Sequence, residues 1–91
     1  MTERVVEGIP GTDLVEAGLA DLERGVESVE ALLVSIGAPR LARLGMAVHS
    51  PYALPEKRLY ELLRREDPDA AHSRYNALVG RLVSFERECA S

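Results

Sequence analysis

The chain has 91 residues, of which 46% are hydrophobic and 29% charged, and it carries a net charge of −4. That length supports one core, and that apolar share excludes a largely disordered chain. Net acidity works against nucleic-acid binding, the single cysteine excludes an internal disulfide and fits a reducing cytoplasm, and no apolar run approaches membrane-spanning length.

Residues 1–11, "MTERVVEGIPG", show no helical period and are expected to form a flexible or extended arm, with one helical domain over 12–91. The first helix is predicted over about 13–36. Asp13 and Glu16 have capping-box spacing, and Val15, Leu19, Leu22, Val26, Val29, Leu33 and Ile36 alternate steps of four and three. Gly37 and Pro39 stop it. Glu16, Glu23 and Glu30 form an acidic column beside this apolar seam. Gly18 and Gly25 lie on its other side, which suggests that another backbone passes close.

"PRLARLGMAVH" reads as a short helix opened by Pro39, with Leu41, Leu44 and Val48 on one face. Pro51 and Pro55 make "SPYALP" a connector, because each restricts the residue before it. "PEKRLYELLRRE" is a second short helix burying Leu59, Leu62 and Leu63. The last helix is predicted over about 68–89, capped by Asp67 and opened by Pro68. Its seam is Ala71, Tyr75, Leu78, Leu82, Phe85 and Cys89, widened by Val79 and Val83.

The fold class that follows is all-α: a small bundle of three to four helices, two long and amphipathic (about 13–36 and 68–89) with two short ones between them. Apolar positions on the long helices exceed what two short partners cover. The expected interface residues are therefore Val15, Leu19, Leu22, Val26, Val29, Leu33, Tyr75, Leu78, Leu82 and Phe85, meeting a second copy or another helical protein. Residues 13–36 carry a balance of −5 and residues after Ile36 a balance of +2. Arg74 and Arg81, seven apart, are expected to meet two of Glu16, Glu23 and Glu30, within or between chains.

Residues with chemical potential are few. Asp69 and His72 have the spacing of a metal-binding pair, but His49 has Met46 where its own carboxylate would stand, so no metal or cofactor is expected. Cys89 falls on the apolar seam with Glu86 and Glu88 nearby, a setting that does not favour a thiolate. Tyr75 lies at the seam and Asn76 beside it on the outer side.

Two segments resemble the motif of small helical ribonucleases of the HEPN type, in which a histidine follows an arginine by about two helical turns. They are Arg65 to His72 and Arg43 to His49. Such a resemblance implies RNA cleavage, as in toxin–antitoxin components, with Arg65 and His72 as the working pair. The residue after each arginine is Glu66 or Leu44, where that family carries a small polar one. "KRLYELLRR" is the most basic helix and loosely follows a helix-turn-helix order, which would imply a nucleic-acid-binding regulator. The leading expectation is a non-catalytic bacterial interaction module that forms homodimers, with neither membrane nor nucleic acid as partner.

Overall fold

The computed structural model describes residues 9–90, so residues 1–8 of the expected arm over 1–11 lie outside the described residues, while Ile9 packs against the core and Gly11 is buried. The chain is all-helical in this range. Its elements are α1 (Thr12–Glu23), α2 (Val29–Ile36), α3 (Ala38–Arg43), α4 (Pro55–Glu66) and α5 (Ala71–Ala90).

The long first helix expected over 13–36 is two helices. A Schellman turn ends α1: Gly25 takes φ +72°, its N–H donates to the Leu22 carbonyl, and the Val26 N–H reaches back to the Asp21 carbonyl at 2.8 Å. Ser28 then caps α2, its Oγ accepting from the Ala31 N–H at 3.0 Å and donating to Asp21 Oδ2 at 2.7 Å. The chain doubles back, and the apolar stripe that reads as three heptads packs α1 against α2. Gly18 makes this possible. A methyl group there would strike the Glu30 carbonyl and lie 2.7 Å from Val34 Cγ1, so the backbones of α1 and α2 approach closely at that point.

α2 is the centre of the bundle. Ala31, Leu32, Leu33, Val34 and Ser35 are all buried, as expected of a helix apolar around its whole circumference and covered by α1, α4 and α5. Its one polar core residue is satisfied: Ser35 Oγ donates to the Ala31 carbonyl and accepts from the Tyr52 N–H, which pins the proline-rich connector to the core.

The short helix opened by Pro39 is α3, and it is shorter than "PRLARLGMAVH". A second Schellman turn stops it, with the Gly45 N–H on the Ala42 carbonyl and the Met46 N–H on that of Leu41. α4 has its expected bounds. The last helix, expected over 68–89 with Asp67 as its cap, begins only at Ala71: Asp67 ends α4, and its Oδ1 accepts from the N–H groups of Asp69 and Ala70 within a turn over 68–70 that leads into α5. At the start of α1, in contrast, Gly11 is the N-cap and no side chain caps it; Asp13 is engaged elsewhere.

Candidate interaction surface

The expected interface residues divide by burial. Val15, Leu22, Leu33, Leu82 and Phe85 are buried in this chain's own core, and Leu19, Val29, Tyr75 and Leu78 pack half-buried against it. Val26 alone of the ten is exposed, at 43%, because it sits in the turn after α1. A second copy has no route to the buried five without opening the fold. The surface left for a partner is therefore mainly charged.

The charged edges find other partners than those expected. Arg81 pairs with Asp13 at 3.1 Å and Arg74 with Glu66 at 3.0 Å. Two geometric facts explain this. The break at Gly25 turns Glu30 away from the line of Glu16 and Glu23, and Asp13 is the acidic residue of α1 that faces α5. Glu23 lies 3.9 Å from His49 Nε2, while Glu16 has no ion pair among the described residues.

On the opposite side of α2, α4 carries a run of charge. Arg58 makes a two-pronged contact with Glu27, Nη2 to Oε1 at 2.9 Å and Nε to Oε2 at 3.2 Å, and its guanidinium lies 5.1 Å from the ring centre of Tyr52. These hydrogen bonds, helped by the charges of Arg58 and Arg65, hold the Glu27 carboxyl below its ordinary value, and Glu27 in turn raises Arg58. The contact ties the turn between α1 and α2 to the first half of α4. Two open clefts of about 470 and 400 Å³ run along α4, the larger lined by Glu61, Arg64, Arg65 and Pro68, the smaller by Glu27, Arg58, Glu61 and Arg65. Shared walls at Glu61 and Arg65 make them one groove. Arg64 and Arg65 are exposed and have no ion pair among the described residues.

One buried charge escaped the sequence reading. Glu86 is 8% exposed, and its Oε1 accepts from Arg40 Nε at 2.8 Å. Its Oε2 has no hydrogen-bond partner and rests over Gly37, where a methyl group would come within 2.6 Å of it. The helical period places residue 86 at the flank of the α5 seam, and only the bend at Gly37, which brings α3 beneath it, buries it there.

The residues with chemical potential do not converge. His72 Nε2 is 3.2 Å from Asn76 Nδ2 on the exposed side of α5, whereas Arg65 lines the α4 groove, and neither of its clefts includes His72. Arg43 lines a separate cleft with Arg40, Leu44, Glu86 and Ala90, without His49. Cys89 is half-buried on α5. Tyr75 packs edge-on against Tyr60, ring centres 5.7 Å apart, and burial followed by the charge of Glu56 raises its hydroxyl pKa. Among the described residues no group of three or more His, Cys, Asp or Glu side chains could hold a metal, and no helix is long and apolar enough to cross a membrane.

No family model, curated protein or solved structure matches this chain.

Proposed function

We propose that the chain is a non-catalytic interaction module of the cytoplasm that associates with itself through the charged surfaces of a complete fold. The observation that carries this reading is the imbalance left after the internal ion pairs are made. α4 retains Arg64 and Arg65 in an open groove, and α1 retains Glu16 and a weakly engaged Glu23 on a separate exposed surface. Within one chain these charges do not meet, and between two chains they can. Complementary surface charge favours encounter and partner choice more than affinity, so the association is reversible and salt-sensitive.

The scattering of histidine, arginine and cysteine over different faces favours binding over catalysis, since a catalytic pair must come within hydrogen-bond reach of one substrate. Sedimentation equilibrium over a wide concentration range tests the proposal. The expected result is a mass rising from one chain to two with concentration, and falling back as salt is added. A mass of one chain throughout, at low salt and high concentration, would refute it.

A further inference from the structure

The geometry points to the cleft between α3 and the end of α5 as a binding site for a small carboxylate with an aliphatic tail. This site lies apart from the α4 groove and stands whether or not the chain associates with itself.

The starting point is a polar group that stability alone does not explain. Glu86 is buried, with Arg40 Nε on its Oε1 and no partner for its Oε2. Arg40 itself is exposed. A buried carboxylate so incompletely paired is less stabilising than an apolar side chain of similar size. The fold also gives up a side chain to admit it. Gly37 has φ −89° and ψ 5°, the backbone that Arg24 and Leu44 adopt as well, so this turn does not require a glycine. A methyl group at 37 would come within 2.6 Å of Glu86 Oε2 and 3.1 Å of Leu82 Cδ2. Gly37 is therefore the room in which the Glu86 carboxylate sits.

What these two residues hold is the Arg40 guanidinium. Its Nε is fixed by Glu86, and neither Nη makes a hydrogen bond among the described residues. Arg43 stands one turn further along α3, exposed and without an ion pair among the described residues. Arg40, Arg43, Glu86, Leu44 and Ala90 line one open cleft of about 190 Å³. Two guanidiniums against one carboxylate leave it positive, and Leu44 and Ala90 make the rest of its wall apolar. Guanidinium forks match a carboxylate with paired hydrogen bonds, and the tail of such a ligand covers the apolar wall. At the ~30 Å³ that each water takes up in the liquid, the cleft holds on the order of six non-hydrogen atoms, the size of a short-chain fatty acid. An inorganic anion would use the arginines and leave the apolar wall in water. Glu86 acts here as a positioning residue, aiming Arg40 from below.

Titration of the nitrogen-15-labelled full chain with acetate, butyrate, hexanoate and inorganic phosphate, at fixed pH and ionic strength, tests the site by nuclear magnetic resonance. Saturable shifts are expected at the amides of Arg43, Leu44 and Ala90. Affinity should rise about two- to fourfold with each added methylene, and phosphate should bind no better than acetate. Arg43→Gln, at an exposed position, should weaken hexanoate binding by about tenfold while circular dichroism shows the parent's helical content. Arg64→Gln/Arg65→Gln, in the α4 groove, should bind hexanoate as the parent does. The absence of saturable shifts at these three amides would overturn the assignment. So would equal affinities for phosphate, acetate and hexanoate, which would mark a basic patch without a seat for the tail. An equal loss in the α4 variant would place the binding elsewhere and overturn it too.

Discussion

Gly18 and Gly80 give the sharpest test of how the bundle is packed, because one substitution should act in opposite directions at the two sites. In an isolated helix, replacing an interior glycine by alanine stabilises by roughly 1 kcal/mol. At Gly80, on the exposed face of α5, a new methyl group meets nothing within 4 Å, so Gly80→Ala should realise that gain. At Gly18 the same group would overlap the Glu30 carbonyl and stand 2.7 Å from Val34 Cγ1. The first neighbour is backbone within a buried helix and cannot swing aside, so α1 must move off α2. Overpacking of this kind costs about 1–3 kcal/mol and sometimes more, which exceeds the propensity gain. Gly18→Ala should therefore destabilise by a net amount of up to about 2 kcal/mol. For a domain of this size each kcal/mol moves the melting temperature by about 4–8 °C. Thermal and urea unfolding followed by far-ultraviolet circular dichroism reads both variants. An equal rise in stability for the two would show that α1 and α2 do not approach at Gly18, and the hairpin would be wrong.

Further outcomes follow from the same geometry. Val26→Asp should keep its helical content while weakening self-association, whereas Leu82→Asp, placing a charge at a site 1% exposed, should unfold the chain; size-exclusion chromatography and circular dichroism on the pair separate surface from core. Ser28→Ala should cost about 1 kcal/mol in urea unfolding, with amide exchange accelerating first in α2, since it removes that helix's cap and its link to Asp21. The Glu27 carboxyl titrates below its ordinary value in the folded chain. Its contribution is thus present above the unfolded-state value and lost as pH falls through the folded one. In Arg58→Met that acid-side slope should diminish and the carbon-13 titration of Glu27 should return to the usual glutamate range; an unchanged titration would mean that Arg58 is not its partner.

Much of the architecture was legible in the sequence where local signals stood unopposed. Pro55 and the Leu59–Leu63 spacing set α4, and Asp67 followed by Pro68 marked the break between α4 and α5, although α5 begins three residues later than that pair suggests because 68–70 form a turn. The break at Gly25 was hidden because Val26 and Val29 happen to continue the seven-residue repeat of Val15, Leu19 and Leu22 through the turn. A helical hairpin folds such a stripe onto itself, and period alone does not distinguish that from one long helix meeting a partner. The signal was present, with a glycine followed three residues later by Ser28 ahead of an apolar run. Gly18 was rightly associated with a close backbone, which proves to be the chain's own α2, while Gly25 serves the turn. Arg58 with Glu27 and Arg40 with Glu86 join residues 31 and 46 positions apart. Such pairs depend on how helices are juxtaposed, and nothing in local spacing announces them.

The most direct test of the whole account is a dilution series in which sedimentation velocity and circular dichroism are read on the same samples at low salt. If the core closes within one chain and pairing occurs at the charged surface, dilution should take the mass from two chains to one while ellipticity at 222 nm stays constant. Helicity that falls together with mass would mean that the apolar seams need a second chain to fold, and it would contradict the account at its root.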